Sequence, residues 1–242
     1  MQRKTVIVTG ASSGIGLALA QAYLEEGFNV VGNARTLQRL RHAHRQLGEP
    51  DNFALAEGDI GHPDTAHKIF ETAVARFGQV DVLVNNAGIF SVKPFVEYSR
   101  DDLQALVNTN LNGFVYATQQ AIRYMIPRKS GHIINITASI ASQPLHNVPA
   151  SLPILIKAGI NQATKALAVE LAPHNIQVSA VAPGIVDTPM YTQDMHPFLS
   201  SLAPAGRLAT TREIADAVLY LSRAEFTTGV VLPVDGGMSA GK

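Results

Sequence analysis

The sequence predicts an α/β fold in which a doubly wound parallel sheet of about seven strands carries helices on both faces. Short runs of apolar, mostly β-branched residues recur along the chain and alternate with longer stretches of helical character. The runs are apolar throughout, without a polar residue at every second position. Parallel strands that are covered on both faces have this pattern. Together the two observations predict repeated strand–helix–strand units.

Capping residues help to place the helices. Gly27 and Gly78 follow helical stretches as C-caps, and Pro63 begins the helix that Gly78 ends. Strands are predicted at residues 6–8, 30–31, 53–56, 80–84, 133–136, 176–181 and 230–234. Helices are predicted at residues 13–26, 36–47, 63–77, 100–125, 153–172 and 211–222.

The whole chain, residues 1–242, is predicted to be one domain because it contains no linker, repeat or low-complexity segment. Residues 190–204 break the alternation of strands and helices. They combine methionine, tyrosine, phenylalanine and histidine with two prolines. We expect this segment to form a mobile flap at the substrate site.

Composition and charge exclude several classes of protein. Lysine plus arginine and aspartate plus glutamate both number 19, so no net field attracts nucleic acid or an acidic membrane surface. The absence of cysteine excludes disulfides and suits a reducing compartment. The eight histidines are dispersed, and no metal site is predicted. No apolar run reaches the ~20 residues of a membrane span and the N-terminus does not resemble a signal peptide, so we expect a cytoplasmic protein.

A glycine-rich turn joins the first strand to the first helix, where residues 9–16 read TGASSGIG. Glycines allow a tight turn and let backbone N–H groups approach a pyrophosphate, and the helix adds the positive end of its dipole. Because the motif stands between a strand and a helix, it predicts a nucleotide site in a Rossmann fold. The residues expected to contact the nucleotide are Gly10, Ser12, Ser13, Gly14, Ile15 and Gly16.

The spacing of this motif resembles that of the short-chain dehydrogenase/reductase family. Further motifs of the family follow in order: DI at 59–60, NNAG at 85–88, Asn110 within VNTNLNG, and PGIVDTPM at 183–190, which resembles the loop that holds the nicotinamide. Residues 228–229 and 234–237 resemble the C-terminal signature, so the resemblance covers nearly the whole chain. It implies cofactor contacts from Asp59, Ile60, Asn86, Ala87, Gly88, Lys157, Pro183, Gly184, Val186 and Thr188.

The residue after the second strand bears on the choice between NAD and NADP. A carboxylate there binds the ribose hydroxyls of NAD, whereas a nearby arginine favours the 2′-phosphate of NADP. Here the carboxylate position is Ala34, and Arg35 follows it. NADP is therefore expected over NAD, with Asn33 and Thr36 as further contacts. The alternative is that Arg35 is a solvated surface charge.

The resemblance implies a reacting centre of Asn110, a serine, a tyrosine and a lysine one helical turn after the tyrosine. Lys157 matches the lysine, which holds the nicotinamide ribose and lowers the pKa of the tyrosine. Pro153 stands where the tyrosine is expected, and no tyrosine occurs between Tyr124 and Tyr191. The chain is therefore interpreted as a divergent member of the family that lacks the active-site tyrosine.

The serine position is open at the level of sequence. Residues 135–139, NITAS, resemble the N-x-S-S motif of the family. Without a gap Ala138 takes the catalytic position, whereas a short insertion before Lys157 puts Ser139 there, and Thr137 offers another hydroxyl. We take Ser139 as the candidate, together with Asn110 and Lys157.

Pro153 also affects local structure. Proline is tolerated in the first turn of a helix and breaks its interior. The helix is therefore expected to begin near Leu152, with Ser151 as its cap, after a remodelled loop at residues 142–150. Without the tyrosine another group must move the proton. The candidates are His146, Ser151, Tyr191 and a water ordered by Lys157 and Ser139.

The leading hypothesis is an NADP(H)-dependent oxidoreductase that acts on a carbonyl or alcohol. Two alternatives stay open: a dehydration or isomerisation on the same scaffold, and a catalytically silent nucleotide-binding regulator or scaffold. The flap is apolar apart from Gln193, Asp194 and His196, which indicates a small, partly hydrophobic substrate. The resemblance implies a homodimer or homotetramer built through the long helices. Apolar positions that could serve this interface or the core are Leu155, Ile156, Ile160, Ala163, Leu167 and Leu171.

Overall fold

Seven parallel strands form one sheet in the structure, a computed structural model that describes residues 3–240. The two residues at each end of the predicted 1–242 domain lie outside the described residues. The strands are β1 (Thr5–Thr9), β2 (Asn29–Ala34), β3 (Phe53–Glu57), β4 (Val82–Asn85), β5 (Gly131–Ile136), β6 (Ile176–Pro183) and β7 (Val231–Val234). Their order is β3-β2-β1-β4-β5-β6-β7. The predicted doubly wound fold is confirmed.

The α-helices of the described chain lie on both faces of this sheet. They are α1 (Gly14–Glu25), α2 (Leu37–Gln46), α3 (Pro63–Phe77), α4 (Arg100–Leu106), α5 (Gly113–Met125), α6 (Ser151–Leu171), α7 (His196–Ser201) and α8 (Thr211–Leu221). Val6 and Val8 of β1 pack with α1 and α8, whereas Ile7 packs on the opposite face with α3, α5 and α6. Two-sided burial explains why the strand sequences are apolar throughout.

The prediction of a single α-helix over residues 100–125 is wrong in the middle of that range. α4 begins with a capping box formed by Ser99 and Asp102, and Val107–Asn112 then form a π-helical segment before α5. π-helical turns are rare and occur often at functional sites. The irregular segment carries Asn110, whose side chain hydrogen-bonds to the backbone of Ile89. Apolar periodicity does not reveal this interruption because the residues at both ends of the segment keep right-handed helical dihedral angles.

Helix α6 begins at Ser151, close to the predicted start, but the predicted cap is wrong. Ala150 is the N-cap and offers no side-chain hydrogen bond, and Ser151 is already the first helical residue. Pro153 is therefore the third residue of α6. The backbone N–H at that position has no partner within a helix, so proline is accommodated without loss of a hydrogen bond.

The segment 190–204 is more regular than its sequence indicates. It contains a 3₁₀ turn, Gln193–Met195, followed by α7. Leu199, Leu202 and Ala203 are buried against Met238. The same apolar cluster includes Leu145 and Val148 of the 142–150 loop, and also Ile185, Tyr191 and Leu208. The predicted flap is thus anchored at its C-terminal half.

Among residues 3–240 there is neither a membrane-spanning helix nor a cluster of metal ligands. None of the helices is both long enough and apolar enough to cross a membrane. Between residues 3 and 240, no three histidine, aspartate or glutamate side chains are grouped so that they could hold a metal ion.

Candidate active site

The predicted site residues collect at one edge of the sheet. The carboxyl ends of β1, β4, β5 and β6 meet there, since all the strands are parallel. The chain changes winding direction between the neighbouring strands β1 and β4. In doubly wound sheets a ligand binds in the crevice at this switch point.

The glycine loop is close-packed at two of its glycines. Gly10 has a φ of +68°, and a Cβ on it would lie 2.9 Å from Cα of Ala87. A Cβ on Gly16 would lie 2.1 Å from the carbonyl oxygen of Gly10. Side chains at these positions would therefore push apart the turn after β1, the loop after β4 and the start of α1.

The loop and the start of α1 fit a pyrophosphate. Ser13 is the N-cap of α1, makes no side-chain cap, and is followed by no acidic residue in the first turn. The first N–H groups of α1 are therefore left for an anion, with the positive end of the helix dipole behind them. A Cβ on Gly14 would lie 3.4 Å from Cγ2 of Thr188, so the loop after β6 lies close to the start of α1.

Thr9 fixes the loop after β4 against the glycine loop. Its Oγ1 accepts hydrogen bonds from the backbone N–H groups of Asn86 and Ala87, both at 3.0 Å. Nδ2 of Asn86 donates in return to the carbonyl oxygen of Thr9 at 2.8 Å. The sequence pattern does not reveal this role of Thr9, although Thr9 directly precedes the first glycine of the motif.

The expected adenosine side of the site lies at the ends of β2 and β3. Asn33 is buried, and its Nδ2 donates to the carbonyl oxygens of Ala56 and Gly58, both at 3.0 Å. This amide holds the turn that precedes Asp59. Arg35 is exposed. Thr36 caps α2 by accepting from the N–H of Arg39, so its hydroxyl has a structural partner.

Asp59 joins the loop after β3 to the π-helical segment. Its Oδ1 accepts from the N–H of Gly61 at 2.9 Å, and its Oδ2 lies 3.4 Å from Nδ2 of Asn108. Ile60 is buried and would contact a Cβ on Gly113 at 2.8 Å. The predicted pair 59–60 thus lies beside the segment that carries Asn110.

The loop after β6 is held by its backbone. The N–H of Gly184 donates to the carbonyl oxygen of Val234 at 3.0 Å, and a Cβ on Gly184 would lie 2.8 Å from Cα of Asp235. Pro183 ends β6, and Val186 is buried and bridges to Ala209. The expected nicotinamide loop is therefore fixed on both sides.

Asn110 and Lys157 lie close together beside the backbone of Gly88. Oδ1 of Asn110 accepts from the N–H of Ile89 at 2.8 Å, and its Nδ2 donates to the carbonyl oxygen of Ile89 at 2.9 Å. A Cβ on Gly88 would lie 3.4 Å from both Oδ1 of Asn110 and Nζ of Lys157. Nζ of Lys157 donates to the carbonyl oxygen of Ile136 at 2.7 Å. Burial lowers the pKa of Lys157 from 10.5 to about 8.

Ser139 is buried three residues after Ile136, in a 3₁₀ turn, Ser139–Ala141. Thr137 is also buried, and its Oγ1 lies 3.4 Å from the carbonyl oxygen of Val181. Ala138 has an extended backbone between the two hydroxyl residues. Of the two candidate hydroxyls, Thr137 is thus directed toward β6.

The other candidate proton donors differ in exposure. His146 is exposed in the loop before α6, and Ser151 is exposed at the first position of α6. Tyr191 is half-buried in the apolar cluster of the flap, and burial raises the pKa of its phenol. Pro153 is buried one helical turn before Lys157.

A chain of buried amides and hydroxyls supports the edge of the sheet beneath Lys157. Nδ2 of Asn85 donates to Oδ1 of Asn135 and to Oγ1 of Thr118, both at 2.9 Å. Nδ2 of Asn135 donates to Oγ1 of Thr164 at 2.9 Å. The chain therefore links α5, β4, β5 and α6. Its sequence signal is a pair of asparagines at the ends of two predicted strands, and only the sheet order shows that these strands are neighbours.

Comparison with known proteins finds a matching family profile and a similar reductase. The family profile described as short chain dehydrogenase matches residues 4–197. The 3-oxoacyl-[acyl-carrier-protein] reductase FabG of Thermotoga maritima is 33% identical over 250 residues, which cover 98% of each chain.

Two solved structures extend the comparison to cofactor complexes. A variant of the actinorhodin polyketide ketoreductase with NADPH is 32% identical, with a TM-score of 0.92 over 98% of this chain and 97% of that one. The 3-ketoacyl-(acyl-carrier-protein) reductase from Brucella melitensis complexed with NADH is 30% identical, with a TM-score of 0.92 over 98% of both chains.

Proposed function

The chain belongs to the short-chain dehydrogenase family, and on that premise we propose that it is an NADP(H)-dependent oxidoreductase that interconverts a carbonyl group and an alcohol. The observation that carries the proposal is the placement of Asn110, Gly88 and Lys157 around one point at the carboxyl ends of β4 and β5. The glycine loop lies at the neighbouring end of β1. A nucleotide bound there brings its reactive end toward that point.

The proposed cofactor is NADP(H), which supplies hydride when bound. One related structure holds NADPH and another holds NADH, so the choice depends on the residues at the end of β2. Ala34 has no carboxylate to repel a 2′-phosphate, and Arg35 is exposed beside it. None of the ion pairs between described residues includes Arg35, so its guanidinium is available to a phosphate.

The proposed roles at the reacting centre follow from local contacts. Lys157 holds the ribose next to the reacting ring, and Asn110 holds the loop of Gly88 and Ile89 in place. Ser139 orients the substrate oxygen by hydrogen bonding. Pro153 occupies the position where the family has a tyrosine, so we propose an atypical proton donor.

The substrate we propose is a ketone with an apolar body, such as a 3-oxoacyl thioester. The relatives named above reduce, by their names, 3-oxoacyl and polyketide carbonyls. Exposed apolar side chains follow β4 at Val92 and Phe95 and follow β6 at Met190 and Phe198. Since β5 lies between those strands, the two loops frame an apolar entrance to the site, and residues 190–204 would close over it as the substrate flap.

A homodimer or homotetramer through α6 is part of the proposal. Ile156, Ile160 and Leu171 are buried in the core of the protomer and are not free to contact a second chain. Leu155 and Val169 are 66% and 78% exposed on the same helix. Exposed apolar side chains on a long helix favour a contact with another copy.

A second candidate function is nucleotide binding without turnover, as in a regulator or scaffold. Pro153 is the observation that favours it, because losing a positioned general acid typically costs ~10²–10⁴ in rate. A dehydration or isomerisation on the same scaffold has no separate structural support.

Calorimetry with NADPH and NADH, followed by turnover of acetoacetyl thioesters and a panel of apolar ketones, tests the proposal. We expect NADPH to bind more tightly than NADH and to be oxidised in the presence of a ketone. Tight binding without turnover of any carbonyl would favour the regulator. Absence of binding by the wild type would contradict the whole proposal. The variant Lys157→Ala serves as the site-directed control in each assay.

A further inference from the structure

Lys157 is isolated from other charges. It lines a cavity of about 10 Å³ at the ends of β1, β4 and β5, with the polar residues Thr9, Asn85, Asn110 and Asn135. The described residues that line this cavity come from β1, the loop after β3, β4 and its loop, the π-helical segment, α5, β5 and α6, and none of them is ionisable apart from Lys157. Asp59 adjoins the lining residue Ile60, and its carboxylate is engaged by the backbone of Gly61 and by the side chain of Asn108.

The three N–H groups of the Lys157 ammonium can be assigned separately. One donates to the carbonyl oxygen of Ile136. A second is left for the ribose of the bound nucleotide, the role proposed for Lys157 above. Asn85 lines the same cavity, which is about large enough for one water, and its Oδ1 is buried without a partner among the described residues. The third N–H remains for a partner located beside Gly88.

Gly88 leaves this side of the ammonium uncovered. It is exposed and has no side chain, and a Cβ there would stand 3.4 Å from Nζ. Pro153, one turn earlier on α6, ends in a short ring and carries no hydroxyl. A water beside Gly88 can therefore contact Nζ on one side and a substrate oxygen on the other.

We propose that Lys157 is the proton donor for carbonyl reduction in this protein, acting through one water beside Gly88. The inference rests on the proposed oxidoreductase function. The C=O π bond breaks, hydride from the nicotinamide cofactor forms the new C–H bond, and the oxygen takes its proton from the water, which is resupplied by Nζ. The neutral lysine amine then regains a proton from solvent, and in alcohol oxidation every transfer is reversed.

The chemistry of a buried, unpaired lysine suits this role. Burial holds the pKa of Lys157 at about 8, and a general acid is most effective when its pKa is near the working pH. The alternative donors are placed less well. His146 and Ser151 are exposed outside the cavity, and Tyr191 lies within the apolar cluster of the flap.

The first test is the state of Lys157 itself, measured without turnover. In protein labelled with ¹³C-lysine, the Cε signal that disappears in Lys157→Arg belongs to this residue. We expect it to titrate near pH 8. A midpoint above about 10, the value of a free lysine, would overturn the proposal.

The second test is the pH profile of ketone reduction at saturating NADPH. We expect the rate to fall as the pH rises through the lysine pKa, because the donor form is the ammonium. Lys157→Arg keeps the positive charge and a donor for Ile136, but a guanidinium does not release its proton at these pH values. We expect that variant to bind NADPH within about tenfold of the wild type and to lose at least about 100-fold in turnover.

Pro153→Tyr supplies the missing phenol and is the complementary variant. We expect turnover to rise, because the phenol donates directly, and the pH at which the rate falls to move from the pKa of the lysine to that of the phenol. Loss of both turnover and the pH dependence in Tyr191→Phe or in His146→Gln would assign the donor to that residue and overturn the proposal. Turnover that survives in Lys157→Arg would overturn the donor assignment alone. A wild-type protein that binds NADPH but reduces no carbonyl would instead overturn the proposed function, and the assignment with it.

Discussion

Nδ2 of Asn85 donates a 2.9 Å hydrogen bond to Oδ1 of Asn135 across the neighbouring strands β4 and β5. Both side chains are buried, and each also bonds to a threonine on a flanking helix. This pair therefore connects the helices on one face of the sheet at the level of Lys157. The contact has consequences for both stability and the position of the site.

Asn135→Ala should destabilise the protein. It removes the acceptor for Asn85 and the donor to Thr164, and a buried polar group left without a partner costs about 1–3 kcal/mol. Urea unfolding measures the change. Gln162→Ala, on the exposed side of α6, is the control and should change the free energy of unfolding by less than about 0.5 kcal/mol. Equal stabilities for the two variants would contradict a structural role for the amide chain.

Gly16→Ala should abolish or strongly weaken nucleotide binding. The new Cβ would meet the carbonyl oxygen of Gly10, so the start of α1 must move away from the loop. Gly159→Ala is the matched control, since a Cβ there has no atom within 4 Å. It should keep NADPH affinity and stabilise α6 by about 0.5–1 kcal/mol. Calorimetry measures NADPH affinity and thermal unfolding measures stability. Unchanged NADPH affinity in Gly16→Ala would contradict the prediction.

Arg35→Ala should weaken NADPH binding and leave NADH binding unchanged. A charge-assisted hydrogen bond to a phosphate contributes about 1.5–3 kcal/mol, which corresponds to roughly 10–150-fold in affinity. Arg39→Ala, on the exposed first turn of α2, is the control for loss of a positive charge nearby. If both variants lose NADPH affinity equally, the loss comes from a weaker positive electrostatic field and not from a contact of Arg35 with the 2′-phosphate.

Leu199→Ala should loosen the segment 190–204. Leu199 is buried in the apolar cluster that joins α7 to Leu145, Val148 and Met238, whereas its neighbour Phe198 is 53% exposed. Truncating the buried residue removes packing contacts that the exposed one does not make. Limited proteolysis should cut Leu199→Ala within this segment faster than Phe198→Ala. Equal cleavage rates would show that the cluster does not hold the flap.

The capping box of α8 should contribute less stability in acid. Arg207 and the backbone of Thr210 lower the pKa of Glu213 from 4.5 to about 2. A carboxyl group with a lowered pKa stabilises the fold above its unfolded pKa and loses that contribution as the pH falls through the folded value. The difference in unfolding free energy between wild type and Glu213→Gln should therefore be largest near neutral pH and shrink below about 4.5. A difference in unfolding free energy that grows on acidification would contradict the lowered pKa of Glu213.

The alternation of strands and helices could be read from the sequence because it depends on local chemistry. Pro63 and Gly78 fix the two ends of α3, and the predicted bounds 63–77 agree with the structure. The same local reasoning failed at residues 107–112, where the π-helical segment is stabilised by the contact of Asn110 with Ile89, 21 residues away. It also misplaced the cap of α6, because Ala150 rather than Ser151 precedes the first helical turn.

By itself the sequence determined the fold class, the glycine loop and the presence of Pro153 one turn before Lys157. Motif spacing and capping residues act over a few positions, so they are visible without coordinates. Only the tertiary structure decided which groups surround Lys157. The burial that lowers its pKa, the open side at Gly88 and the unpaired oxygen of Asn85 come from separate strands and loops. Their effect on a proton depends on distance and solvent exclusion, which exist only after the sheet has assembled.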